Sequence, residues 1–256
     1  MIPLSVCAAG FTVRRLIFYF IKPPGEQTME YLSNGFTLEI CDGAFPLSTD
    51  SIALSGFVKL PKNAKVLDLG SGCGTLGLLL CAKDNNCCVT GLELEERAHK
   101  TAIKNIAVNG LNGRLSSICA NLTQIPSAMV GQFDICISNP PYFCAGPASQ
   151  TVPNARREDQ CTMAQLFASA AKALRYGGDF YLVHKPERFA QLCACANQVG
   201  LEPKKLCLLR HKTDGPVTLV LVQCRKGGKP GLLWQEEALF NTDGSPTAYY
   251  QTLYHL

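Results

Sequence analysis

The chain lacks a membrane-spanning stretch. Its early apolar run, Leu16 to Ile21 behind Arg14-Arg15, has six residues, against the about 20 a bilayer helix needs and the roughly 7–15 of a signal-peptide core. Lys22-Pro23-Pro24-Gly25 follows it, not a small-residue cleavage site. C-x-x-C pairs are missing as well. The closest cysteines are adjacent Cys87–Cys88 and Cys193-x-Cys195, spacings that argue against a zinc ribbon, a thioredoxin-type motif and haem attachment, and no metal is expected. Charge is sparse, at 17% of residues against 47% hydrophobic, a balance that fits one packed core and excludes a disordered chain. No internal repeat or low-complexity tract occurs.

Cysteine, by contrast, is plentiful. Fourteen in 256 residues fall short of the roughly 8–10% of a disulfide scaffold, and a chain this long buries enough surface to do without staples. They read as reduced thiols serving as small hydrophobes in a cytoplasmic protein. The formal charge is +4, yet residues 200–230 hold seven basic side chains against two acidic ones, a local excess larger than that of the whole chain. At about 150 residues per domain, the length suggests one large domain with an appendage. Residues 1–28 read as a loose N-terminal segment, with Met29 a candidate natural start that mass spectrometry of the native protein would test. Residues 29–60 read as a strand/helix extension packing on the main domain, 61–232 as that domain, and 233–256 as a C-terminal tail.

From Lys65 onward, short apolar runs alternate with helical patterns. Strands are expected at Lys65–Leu69, Cys88–Glu93, Leu115–Cys119, Phe133–Ser138, Phe180–Val183, Leu206–Leu209 and Val217–Cys224. Helices are expected over Leu76–Lys83, Glu95–Val108, Thr162–Leu174 and from Pro186 to Gly200, from apolar spacing and Pro/Gly punctuation. This α/β alternation implies a doubly wound parallel sheet with right-handed crossovers. Asp214-Gly215 signals a closing hairpin that adds an antiparallel edge strand. In such sheets ligands bind at the carboxyl ends of the strands.

At the first of those ends lies Asp68-Leu69-Gly70-Ser71-Gly72-Cys73-Gly74. Glycines there admit unusual backbone angles and close approach of a ligand. Gly72 to Gly77 matches G-x-G-x-x-G formally, with Glu93 about 20 residues on, where a ribose-binding acid belongs. However, Gly70 already occupies the strand end, and Asp68 would repel a pyrophosphate. An acid before the loop suits a cationic ligand instead, and S-adenosylmethionine, with its sulfonium, α-amine and ribose diol, fits.

Phe133–Ser138 runs into Asn139-Pro140-Pro141-Tyr142. The prolines must end the strand and stiffen the turn. The Asn139 carbonyl and the C=O of Pro140 are two rigid acceptors, suited to holding both hydrogens of an –NH₂ group while Tyr142 stacks on the planar system that bears it. A conjugated amine so held turns its lone pair toward an electrophilic methyl without a strong base. Positioning of this kind can supply about 7–11 kcal/mol of a barrier.

Together these residues resemble the class I S-adenosylmethionine-dependent methyltransferases that act on exocyclic amines. The resemblance implies a Rossmann-like sheet of seven strands with a reversed last strand. It gives Asp68, Gly70, Ser71, Gly72 and Gly74 to the methionine end of the cofactor, Glu93 to its ribose, and Asn139, Pro140 and Tyr142 to the amine and its base, with Pro141 in the same turn. The acid that usually holds the cofactor's adenine amine is replaced by Asn121, whose carbonyl could accept instead. Phe45 to Asp50, Leu182 to Arg188, Leu201 to Lys205 and Arg225 to Leu232 further resemble the bacterial tRNA (adenine-N6) methyltransferases of the valine tRNA anticodon loop. By that likeness, Lys204, Lys205, Arg225 and Lys226 become phosphate contacts on RNA. Arg156, in the long loop after Tyr142, becomes part of a substrate lid, and an unpaired adenine is the base flipped into the pocket. Asp50 is expected as the N-cap of the helix it precedes, with a place at the cofactor as the alternative. A monomer is compatible with all of this.

Three rivals stand beside that reading. A release-factor glutamine N5-methyltransferase shares the tetrapeptide but resembles a chain with a helical N-terminal domain, unlike the turn-rich stretch before Val66. A non-catalytic RNA-binding scaffold conflicts with intact Gly70, Gly72, Gly74, Glu93 and Asn139. A nicotinamide dehydrogenase would have only His184 as a proton-transfer group at a strand end.

Overall fold

A computed structural model describes residues 28–32, 35–140 and 161–254. A hairpin of β1 (Thr28–Tyr31) and β2 (Thr37–Ile40) precedes helix α1 (Thr49–Phe57). The alternating part follows as β3 (Lys65–Leu69), α2 (Thr75–Lys83), β4 (Cys88–Glu93), α3 (Glu96–Val108), β5 (Leu115–Cys119) and β6 (Phe133–Ser138). It continues with α4 (Met163–Ala173), β7 (Leu174–His184), α5 (Phe189–Gln198), β8 (Leu201–Lys212), β9 (Val217–Lys226), β10 (Leu233–Phe240) and α6 (Ala248–Tyr254). β3 to β10 form one sheet in the order β10-β8-β9-β7-β6-β3-β4-β5. Only β9 runs against its neighbours, β7 and β8.

The sheet is buried on both faces, as parallel sheets require. Side chains alternate across it. Val66, Val89, Ile135, Tyr181 and Val183 join the core under α1, α2 and α3, while Leu67, Leu92, Cys136, Phe180 and Leu182 join the core under α4 and α5. Phe167 of α4 meets Phe180 edge-on at 5.1 Å between ring centroids. Thr162 and Gln165 form a reciprocal capping box at the start of α4.

The hairpin is fastened to the main body by two asparagines one turn apart on α3. Asn105 accepts from the Glu39 N–H and donates to the Glu39 carbonyl; Asn109 does the same for Thr37. Two side-chain amides thereby stand in for a neighbouring strand on the outer edge of β2, which would otherwise hold unpaired backbone groups. This docking carries the loop after β2 to the carboxyl end of β3.

The fold class is that expected, with one strand more than the seven read from sequence. Residues 233–256, read as a tail, contain β10, which pairs in parallel with β8, and α6, whose buried Leu253 fills the space left by Gly56 of α1. The reversed strand is interior, not at the edge. The crossover through α5 places β8 one position beyond β7, the hairpin returns β9 into that gap, and β10 covers the edge that β8 then presents. β7 begins at Leu174, well before Phe180, immediately after α4. Ser48, not Asp50, is the N-cap of α1: its Oγ accepts from the Ser51 N–H at 3.4 Å, and Asp50 sits in the first turn.

Candidate active site

The carboxyl ends of β3, β4, β5 and β6 open onto one cavity of about 740 Å³. Asp68 to Cys73, Glu93, Asn121, Asn139 and Pro140 all line it, together with Asp42 to Pro46 from the hairpin loop and Ser51 from α1. Residues separated by up to about one hundred positions in sequence are thus brought to one sheet edge, as the strand-end rule anticipates.

In the loop between β3 and α2, Gly70, Gly72 and Gly74 have φ of +77°, +55° and +87°, angles a side chain resists. Gly70 N–H and Ser71 N–H both donate to the Leu92 carbonyl, at 2.9 and 3.0 Å, and Gly74 N–H donates to the Ser71 carbonyl at 2.9 Å. Gly72 N–H donates to Glu93 Oε2 at 2.7 Å. A pyrophosphate cradle needs such amides turned toward its ligand; here these four are already engaged within the protein, which disfavours the dinucleotide reading suggested by the glycine spacing. Asn105 also holds the Cys73 carbonyl, at 2.9 Å, so one side chain joins the loop to the N-terminal hairpin.

Two polar groups in the cavity wall have no partner among the described residues. Both carboxyl oxygens of Asp68 and the hydroxyl of Ser71 are buried without a hydrogen bond. Burial, reinforced by the negative charge of Glu93, pushes the Asp68 carboxyl up to about 8. Buried polar groups are normally satisfied, so this pair calls for a ligand bearing donors or positive charge. Glu93 adds acceptors beside them: each of its oxygens takes one backbone N–H, from Gly72 and from Glu95, and each keeps a lone pair for a hydroxyl. An ammonium group for Asp68 and a ribose diol for Glu93 satisfy this donor set, so S-adenosylmethionine fits.

Asn139 follows the last residue of β6. Its strand end is tied to that of β3 by Ser138 Oγ, which donates to the Leu69 carbonyl at 2.8 Å. Asn139 Nδ2 donates to Ser51 Oγ at 3.0 Å, which leaves Oδ1 as the acceptor. Pro140 lines the cavity beside it. Pro141, Tyr142 and Arg156 lie outside the described residues.

Three further groups named from sequence have local surroundings that bear on their roles. Asn121 does line the cavity, but its carbonyl is held by the backbone N–H and hydroxyl of Thr123, at 2.9 and 2.8 Å. Both lone pairs are used locally, as is common for an asparagine in a turn, so an acceptor role toward an adenine amine would require it to give up one of these bonds. The basic cluster lies on β8 and β9, beyond β7 from the cavity strands β3 and β6. Arg225 pairs with Asp179, the sixth of the eleven residues of β7, and Lys205 lies across Gln223 from Tyr181. Arg225 makes two bonds to Asp179, at 2.8 and 3.0 Å. Lys226 Nζ caps the end of α4 through the carbonyls of Ala171 and Leu174, and Lys204 Nζ donates to the Lys229 carbonyl. Arg225, Lys226 and Lys204 thus brace the fold. Finally, His184 does not line the cavity; burial, aided by Arg188, pushes it down to about 4, leaving it neutral, and the dehydrogenase reading loses its proton-transfer group.

Sequence reasoning overlooked Ser51 and Gly91. Ser51 lies one residue past Asp50, and only the true cap at Ser48 puts it on the inner face of α1. A Cβ on Gly91 would lie 2.5 Å from Ser71 Oγ, so this strand glycine makes room for the loop; glycine inside an apolar strand was the available signal.

The profile of the family described as methyltransferase small domain matches residues 50–192. A tRNA1(Val) (adenine(37)-N6)-methyltransferase of Photobacterium profundum is 27% identical over 235 residues, 87% of this chain and 97% of that one. The protein of the same description from Tolumonas auensis is 30% identical over 185 residues, 70% of this chain and 76% of that one. Among solved structures, a predicted O-methyltransferase, protein Atu636 from Agrobacterium tumefaciens, shares the fold with a TM-score of 0.68 at 19% identity, over 80% of this chain and 95% of that one. With a matched region covering more than half of its length and a glycine loop that fits the cofactor, the chain belongs to the methyltransferase small domain family of S-adenosylmethionine-dependent methyltransferases.

Proposed function

We propose that the protein transfers a methyl group to the N6 amine of an adenosine in the anticodon loop of tRNA, valine tRNA being the first candidate, in the cytoplasm. The observation that carries this is the placement of the Asn139 acceptor and Pro140 in one cavity with Asp68 and Glu93, an arrangement that suits methylation of an amine. The tRNA substrate is supported by what the Photobacterium and Tolumonas relatives are named for.

S-adenosylmethionine, when bound, supplies an electrophilic methyl on a sulfonium. Asp68 would take the α-amine, Gly70, Ser71 and Gly72 would line the wall around the methionine end, with Gly74 turning the loop into α2 behind them, and Glu93 would accept from the ribose hydroxyls. Asn139 Oδ1 and the Pro140 carbonyl would accept the two hydrogens of the target amine, with Tyr142 and Pro141 assigned to the base and Arg156 to the substrate by the resemblance. No proton is removed before transfer, because the amine is neutral and loses its proton afterwards. Labelled methyl transfer into total tRNA, run against purified release factors, tests the proposal. Incorporation into tRNA, mapped to one adenosine, is expected; incorporation into release factor alone would overturn it in favour of a glutamine amide substrate, which the same acceptors could hold.

A further inference from the structure

We propose that Ser51 is a positioning residue that fixes which end of the Asn139 amide meets the substrate. The inference rests on the reading of Asn139 as acceptor for a substrate amine. A side-chain amide is nearly symmetric in shape, yet only its oxygen can accept; turned through 180°, it would set –NH₂ against –NH₂, donor against donor. Asn139 Nδ2 donates to Ser51 Oγ at 3.0 Å, and Ser51 is 5% exposed in the cavity wall.

A hydroxyl alone does not settle the matter, because it can donate as well as accept. Here a second acceptor for its proton stands beside it. Ser51 Oγ lies 3.5 Å from Ser48 Oγ, which already accepts the Ser51 N–H. With the Ser51 proton directed at Ser48, the lone pairs of Ser51 Oγ face Asn139 Nδ2, and Oδ1 is left for the substrate. The α1 cap thereby reaches the reacting centre through one relay, and its backbone is held by the buried Ile52, Ala53 and Leu54.

A double-mutant cycle separates orientation from mere support, because a carboxylate presents oxygen whichever way it turns. Ser51→Ala should lower kcat about 10-fold, with tRNA KM and cofactor Kd changed by less than about 2-fold. In the Asn139→Asp background the same substitution should change kcat by less than about 2-fold. Ser51→Thr, which keeps the acceptor, should restore kcat to within about 3-fold of the wild type. Independently of turnover, the Asn139 side-chain amide protons, identified by their loss in Asn139→Asp, should exchange with solvent faster in Ser51→Ala by NMR. Equal kcat losses in both backgrounds would overturn the proposal, and so would unchanged amide exchange in Ser51→Ala, which decides the case if Asn139→Asp is inactive. A wild type that methylates no tRNA would instead count against the substrate reading, and the amide spectrum would still report on Ser51.

Discussion

Two regions of the central sheet treat polar groups in opposite ways. On the β7–β9–β8 side, Arg225 is paired with Asp179, and Lys226 and Lys204 are satisfied by main-chain carbonyls. At the carboxyl end of β3, Asp68 and Ser71 are buried with no hydrogen-bond partner among the described residues. The first arrangement stabilises the fold. The second is a standing penalty that a packed protein removes unless a ligand removes it. Density of charge therefore marks the structural side, and unmet polar groups mark the functional one.

The largest effect expected from breaking this contrast comes at Asn139. Asn139→Ala removes the acceptor while sparing the cofactor's partners, so kcat should fall about 100- to 1000-fold with cofactor Kd unchanged by calorimetry. Asp68→Asn comes next. Removing the charged partner of the cofactor amine should weaken binding about 30-fold or more, near 2 kcal/mol, read by calorimetry.

The pH dependence follows from the same residue. An ordinary aspartate releases its proton near 3.8, whereas folded Asp68 keeps its own to about 8. The unfolded chain thus loses that proton first, and the stability of the cofactor-free protein falls as pH rises through that window. Asp68→Asn should flatten this slope in denaturation series from pH 5 to 8. Pairing with a cation favours the carboxylate, so cofactor binding at pH 7 should release a proton, detected as a buffer-dependent enthalpy; its absence would remove Asp68 from the amine site.

On the β7–β9–β8 side, effects should be on stability alone. Lys226→Met leaves the carbonyls of Ala171 and Leu174 without their donor and should cost about 1–3 kcal/mol in urea unfolding, with cofactor Kd unaltered. The smallest effect is expected for Lys204→Met with Lys205→Met: under about 0.5 kcal/mol, and no change in the salt dependence of tRNA KM. A shallower salt dependence would place RNA on that edge after all.

Much of the site was legible because its signals are local. Cys88–Glu93, Leu115–Cys119 and Phe133–Ser138 are strands with the expected bounds, and the glycine loop after β3 and the prolines after β6 are visible within a few residues of chain. The partners of the basic stretch were not legible, because a count of charges says nothing about them: Asp179 lies 46 residues from Arg225, and the Ala171 carbonyl 55 from Lys226. Nor was the turn in which Thr123 bonds the Asn121 carbonyl. The cysteines, the most conspicuous surplus of the composition, are free thiols among the described residues, eight of the twelve buried, as packing side chains would be.

The absence of long apolar runs, the βα alternation and the two strand-end motifs sufficed for the fold class and chemistry, because periodicity and backbone stereochemistry act within a few residues of the chain. The tertiary structure alone decided which charges are spent on the fold, that the last strand but one enters the sheet interior, and that Ser51 meets Asn139 across 88 residues. Those outcomes depend on which groups folding brings within about 3 Å of each other, a distance that sequence separation does not encode.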